Sequence, residues 1–212
     1  MSPPSSAASS AKPKSNRPFW LELAILVLVA VSIAVVIKTF LVQPFYIPSD
    51  SMVPTILPND RVMVSKLSYR FGEPQRGDLV VFVSPFNQEF DDETFFESVF
   101  RHVVESVGIR TASADDLIKR IIGLPGDEIH IREGKLFVNG AEVPEPYLLE
   151  SGRLNDFGPV IVAPDSVFVM GDNRVISYDS TRFGAIPMDH ILGEAVLRIW
   201  PVDRFGAVDV RK

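Results

Sequence analysis

From Phe19 to Val42 the chain is apolar at every position except Glu22, Ser32, Lys38 and Thr39, and between Leu23 and Ile37 only Ser32 interrupts it. Such a run predicts a helix of bilayer length. A cleaved signal peptide and a buried helix compete with that reading. No small-residue exit follows, however, since Lys38 to Pro44 is bulky, and Lys38 can extend its charge toward the interface. The expectation is an uncleaved transmembrane anchor over 19–42, with Phe19 and Trp20 at the near interface. Residues 1–18 are mostly Ser, Pro and Ala with Lys12, Lys14 and Arg17. This composition predicts a disordered basic tail, kept cytoplasmic by its three cations, so that residues 43–212 face outward.

Beyond the anchor the pattern changes to short β-branched runs separated by Gly, Pro, Asn and Asp: Arg61 to Ser65, Asp78 to Val83, Leu117 to Ile122, Glu128 to Arg132, Val160 to Ala163, Ser166 to Met170 and Ile191 to Trp200. They predict an antiparallel strand-rich domain, mainly β in class. Within Lys135 to Val143, Asn139-Gly140 is the turn of a hairpin, because both residues accept the positive backbone angles of a type I′ turn. Gln43 to Pro48 reads as a brief connector. One stretch departs from the strand pattern. Phe95, Phe96, Val99, Phe100, Val103, Val104 and Val107 fall on one stripe at helical spacing, predicting an amphipathic helix over Glu89 to Gly108 inside an insertion at 86–116. Its polar face is acidic, which suits packing on the domain or on a partner better than lying on a membrane.

Composition narrows the chemistry. The 212 residues suffice for one principal domain with a sizeable core. With 27 acidic and 21 basic residues the net charge is -6, so nucleic acid is not an expected partner. Taking away the tail's three cations leaves 18 basic residues against 27 acidic ones, a net -9, so a general electrostatic grip on anionic lipid is not expected either. The chain has no cysteine, which excludes disulfides, thiolate metal sites and a cysteine nucleophile. Its three histidines show no paired-ligand spacing, and no metal or other cofactor is expected. The 17 prolines, about 8% of the chain against an average of about 5%, fit a looped β fold.

Two residues carry candidate chemistry. Ser51 lies in Pro48-Ser49-Asp50-Ser51-Met52-Val53-Pro54-Thr55, a few residues beyond the anchor, where a membrane-borne substrate reaches it. Taken singly, such a serine is more often part of a turn or a helix cap. Lys119, in Lys119-Arg120-Ile121-Ile122-Gly123-Leu124-Pro125-Gly126-Asp127, would by default be a surface lysine in a half-exposed strand. Strand alternation instead sets it on a face with Leu117 and Ile121, and Arg120 on the other with Ile118 and Ile122. A serine hydroxyl becomes a nucleophile when a neighbouring base takes its proton, and lysine serves as that base when desolvation neutralises it. Bringing a lysine from about 10.4 to about 8 takes roughly 3 kcal/mol, within the reach of burial.

In chain order, Pro48 to Thr55, Arg76 to Phe82, Lys119 to Asp127, and Gly171-Asp172-Asn173-Arg174 with Ser177 to Gly184 closely resemble the nucleophile box, the following strand, the base box and the last box of the bacterial type I signal peptidases. These are serine and lysine endopeptidases that release secreted proteins from membrane-bound leader peptides. The resemblance runs from about Gln43 to Pro201, with the anchor before it. It implies Ser51 as nucleophile, Lys119 as general base, and the Ser51 N–H with the Ser49 hydroxyl as oxyanion hole. Ser177 would orient the lysine, Met52 would line the substrate cleft, and Gly171, Asp172 and Arg174 would shape the turn presenting Ser177. Asp179 would support them, while Asp50 is a spacer. The resemblance further implies a β-rich catalytic domain set against the bilayer and secretory preproteins as substrates, cut after small residues in an Ala-x-Ala pattern. The implied location is the bacterial inner membrane, with the catalytic domain on the periplasmic face. In the last box the family's Asp-Asn before the serine is Val175-Ile176, and the arginine expected two residues after Asp179 is Thr181, with Arg182 one place further on. An autoproteolytic regulator of the SOS-repressor type also pairs serine with lysine, but the anchor and the missing DNA-binding helix pair speak against it. An anchored, non-catalytic β module would leave the motif order unexplained.

Overall fold

The computed structural model describes residues 18–85, 116–148 and 154–208, with the side chains of 34–40 excepted. The expected tail at 1–17 and the amphipathic helix at 89–108 lie outside these residues. The chain divides into two units, residues 1–34 and 35–212. The first contains most of helix α1 (Phe19–Phe40), which ends two residues before the predicted anchor boundary. Leu21, Leu23, Ile25, Leu26, Val27 and Leu28 are all exposed, so apolar side chains ring the helix instead of marking one stripe. The Ser32 hydroxyl donates to the Leu28 carbonyl 2.8 Å away and so spends its polarity within the helix. Among the described residues no helix is long and apolar enough to cross a membrane.

The second unit is built from antiparallel strands in two sheets. In chain order they are β1 (Val42–Tyr46), β2 (Arg61–Ser65), β3 (Leu79–Val83), β4 (Asp116–Gly123), β5 (Glu128–Arg132), β6 (Lys135–Val138), β7 (Ala141–Glu142), β8 (Phe157–Ile161), β9 (Ser166–Met170), β10 (Ile186–Pro187), β11 (Ile191–Trp200) and β12 (Gly206–Ala207), with one-turn helices α2 (Ser68–Phe71) and α3 (Ser180–Phe183). The larger sheet runs β1-β2-β11-β3-β4-β9-β10, with β12 on β11, and the smaller runs β7-β6-β5-β8. The mainly β expectation is met, and four of the predicted runs have the observed bounds.

Both faces of the central strands are covered, which is why Leu79 to Phe82 is continuously apolar instead of alternating. Leu79 and Val81 pack with Phe45, Ile56, Val62 and Ile118, whereas Val80 and Phe82 pack with Ile121, Val167 and Val169. A third cluster, Ile129, Ile131, Leu136, Phe168 and Met170, joins the small sheet to β9. Each such side chain contributes about 1.5–3 kcal/mol on leaving water. The predicted hairpin turn forms, with φ of 52° at Asn139 and 79° at Gly140.

Two strand predictions need correction. Gln43 to Tyr46 is not a connector but most of β1, paired to β2 with Pro44 opposite Met63. Proline is tolerated there because β1 is the sheet edge, where a missing N–H need not interrupt a ladder. The strand expected over Val160 to Ala163 begins at Phe157, before Gly158-Pro159. The start of the 86–116 insertion lies outside the described residues, but its last residue, Asp116, opens β4.

Candidate active site

The loop from β1 to β2 carries Ser51. It leaves β1 through Ile47, whose N–H donates to the Asp60 carbonyl at 2.9 Å and whose carbonyl accepts from the Asn59 N–H at 2.8 Å. The loop then turns at Asp50 and descends again at Ile56. Met52 is fully buried among Phe45, Ile47 and Ile56. It therefore pins the loop into the core and does not form the cleft wall expected of it, because an unbranched apolar side chain directly after the turn fills the space beneath it. Asp60, also buried, accepts the Leu57 N–H at 3.0 Å and pairs with Arg198 and Arg204, while Arg198 donates to the Thr55 carbonyl at 2.9 Å. The far end of the loop is thus tied to β11 and the segment after it.

Lys119 stands in the middle of β4 with Val80 of β3 as its Cα partner. It is 2% exposed. Its Nζ lies 2.9 Å from Ser51 Oγ and donates to the Ile118 carbonyl at 2.9 Å. Burial pushes the amine from its ordinary 10.5 down to about 8, although the Asp179 and Asp172 carboxylates raise it. An amine of that basicity, in contact with a hydroxyl, can take its proton near neutral pH. Ser49 Oγ lies 3.3 Å from Ser51 Oγ. Beside them runs a groove of about 200 Å³, lined by Phe45, Ile47, Pro48, Ser49, Val81 and Ile118 among others, with Lys119 at its wall.

The turn after β9 closes the site from another side. The Asn173 N–H donates to the Ser51 carbonyl at 3.0 Å, and the Ser177 N–H donates to the Asn173 carbonyl at 3.0 Å. A Cβ at Gly171 would come 2.5 Å from the Ser51 carbonyl oxygen and 2.3 Å from Ser177 Oγ, so only glycine lets the two approach. Asp172 and Arg120, both buried, form a bidentate pair, Nε to Oδ1 at 2.8 Å and Nη2 to Oδ2 at 2.6 Å. Thr55 donates to the same carboxylate, Arg120 Nη1 donates to the Gly77 carbonyl, and the guanidinium lies 4.0 Å over the Tyr147 ring. Arg174 donates to the Gly171 carbonyl at 3.1 Å and pairs with Glu145.

Two supporting residues remain, Ser177 and Asp179, both buried. Among the described residues the buried hydroxyl of Ser177 has no hydrogen-bond partner, and the Lys119 amine bonds to Ser51 and Ile118. Asp179 makes no ion pair with Arg182, whose guanidinium lies over the Tyr178 ring at 5.6 Å. Its carboxylate takes the Thr181 hydroxyl at 2.8 Å, the Thr181 N–H at 3.2 Å and the Gly171 N–H at 3.1 Å. The hydroxyl standing where the family has arginine satisfies the acid without a second charge. Sequence reasoning missed Arg120, Thr55, Glu145 and Tyr147. Only Arg120 left a signal, a charge placed by alternation on an apolar face. Among the described residues no group of His, Cys, Asp and Glu side chains is disposed to hold a metal ion.

The order and spacing of these residues have counterparts elsewhere. A family model for signal peptidase, peptidase S26, matches residues 20–200. A probable signal peptidase I-2 of Synechocystis sp. is 40% identical over 187 residues, covering 88% of this chain and 76% of its own. Signal peptidase I of Leptolyngbya laminosa is 38% identical over 205 residues, covering 96% and 90%. A solved signal peptidase I from Enterococcus faecalis V583 has a TM-score of 0.40 and 26% identity, over 57% of this chain and 96% of that chain. The chain belongs to the signal peptidase family, peptidase S26, and is a serine endopeptidase.

Proposed function

We propose that this protein is a membrane-anchored signal peptidase that removes N-terminal signal peptides from exported preproteins with a Ser51–Lys119 dyad, cutting after small residues in an Ala-x-Ala pattern. One observation carries the dyad: a buried amine, lowered to about 8, lies 2.9 Å from the Ser51 hydroxyl. Lys119 takes the hydroxyl proton as Ser51 Oγ attacks the scissile carbonyl carbon. The oxyanion is held by the Ser51 N–H and the Ser49 hydroxyl, a donor of a kind worth about 3 kcal/mol. Lys119 then gives the proton to the departing amine, and the C–N bond breaks. In the second half the neutral amine takes a proton from water, the hydroxide attacks the ester carbon, and Ser51 leaves and recovers its proton. A neutral amine has two N–H groups; one is on the Ile118 carbonyl, and we assign the unpartnered Ser177 hydroxyl as acceptor for the other.

The mainly apolar groove of about 200 Å³ beside Ser49 and Lys119 suits small side chains before the cut. The apolar run over 19–42 of the sequence suits an anchor, and the cations of the tail suit an N-terminus on the cytoplasmic side. Protein extracted by detergent from salt-washed membranes should release correctly sized product from a precursor bearing Ala-x-Ala, in the presence of chelator. The same precursor with leucine at both small positions should stay intact. No product from the first precursor would overturn the activity, and recovery of the protein in the salt wash would overturn the anchor.

The lowered amine sets the pH dependence. Catalysis needs the neutral form, whose fraction rises with pH, so kcat/KM should climb about tenfold per unit below the lysine pKa and level off above it. Half of the limiting value is expected at about 8. A profile flat from pH 6 to 9 would remove Lys119 as the titrating base.

A further inference from the structure

The turn between β9 and α3 is fastened at nearly every residue, yet it turns two aliphatic side chains toward water. Asp172 is locked to Arg120, Asn173 to the Ser51 carbonyl, Arg174 to Glu145, and Asp179 caps α3. Between these fixed points Val175 is 62% and Ile176 57% exposed. Both are β-branched and therefore stiff, so the turn presents a rigid apolar surface at little entropic cost on binding.

Its position gives that surface a use. The groove that suits the residues before the cut is lined by Phe45 to Ser49, Val81 and Asp116 to Lys119, and by no residue of the turn. The turn instead holds Ser51 through its carbonyl and borders a second cavity of about 440 Å³, lined by Val175, Ser177, Thr181, Arg182 and Asn155 among others. The turn thus meets Ser51 outside the lining of that groove, which leaves it available to the part of an extended chain that the groove does not hold.

We infer that Val175 and Ile176 contact the first two residues after the scissile bond and favour precursors whose mature part begins with apolar side chains. This rests on the proposed signal-peptide cleavage at Ser51 and adds a selectivity that the groove does not supply.

The test uses the full chain in detergent and two precursors alike except after the cut, one beginning Val-Leu and the other Asn-Asp. The wild type should cleave the first with the higher kcat/KM by about tenfold, the range one well-packed apolar contact gives. In Val175→Ser/Ile176→Ser that ratio should fall toward one. Val175→Thr/Ile176→Thr, which keeps the branched shape, should lie between them, and both pairs should unfold within about a degree or two of the wild type, since they are surface positions. Equal cleavage of the two precursors by the wild type, or a ratio unchanged in both variants, would overturn the contact while leaving the proposed function standing. Cleavage of neither precursor by the wild type would overturn both.

Discussion

Ser51→Ala and Lys119→Arg are each expected to lower kcat/KM by about 10⁴- to 10⁶-fold, and together by little more than either alone, because nucleophile and base act as one unit. Alanine removes the attacking oxygen. Arginine retains its charge at every usable pH and cannot accept the proton, so preserving the positive charge should rescue nothing. Arginine is also the larger side chain at a buried position, where overpacking costs about 1–3 kcal/mol, so Lys119→Met is the companion variant. Its stability has a definite sign. Between the folded pKa of about 8 and the unfolded 10.5, the unfolded chain carries a proton that the folded chain has released, so stability rises with pH through that window. At pH 7 the buried charged amine accordingly costs about 3 kcal/mol relative to the alkaline limit. Methionine removes that cost while surrendering the amine's hydrogen bonds, so the variant should remain folded at pH 7 and inactive. Single-turnover assays on a purified precursor, with thermal unfolding alongside, give both readings. More than about one part in a hundred of wild-type kcat/KM in Lys119→Arg would end the assignment of lysine as base.

The legibility of this chain followed the reach of each interaction along the sequence. Arg61 to Ser65 and Ile191 to Trp200 were readable because β-branched runs between breakers act locally, and their bounds match β2 and β11. The Asn139-Gly140 turn was readable because its backbone angles belong to two adjacent residues. β1 was missed because Pro44 argues against a strand, and only the sheet order reveals that it lies at an edge. Met52 was legible as part of the nucleophile box but not as a core residue, since its role depends on Phe45 and Ile56 packing around it. At the site, Ser51 and Lys119 were named because they stand in two boxes that resemble the family's in order, and are the residue types its chemistry requires. Arg120 and Asp172, whose pairing spans 52 positions, left no joint signal. The replacement of the family's arginine by Thr181 was visible in the chain, but the way its hydroxyl and N–H satisfy Asp179 was not.

That long-range pair supports the other large prediction. Asp172→Ala should destabilise the protein by about 3–5 kcal/mol, the usual cost of leaving one member of a buried ion pair uncompensated. For a domain of this size that lowers the melting temperature by on the order of 10 °C. The side chains of Arg120 and Asp172 are 1% and 0% exposed, so little water reaches the orphaned guanidinium. Thr55 in the nucleophile loop loses its carboxylate acceptor at the same time. Adding Arg120→Met to Asp172→Ala should recover much of the lost stability, because the unpaired charge is gone, whereas Arg120→Met alone should strand the carboxylate and be costly. Asp172 also raises the Lys119 amine through its charge, so the milder Asp172→Asn should move the acidic limb of the pH profile to lower pH. A purely structural role would reduce the amount of folded enzyme without moving that limb. An Asp172→Ala protein that melts within a degree or two of the wild type would show that Arg120 finds another partner, and the double variant would then have nothing to restore.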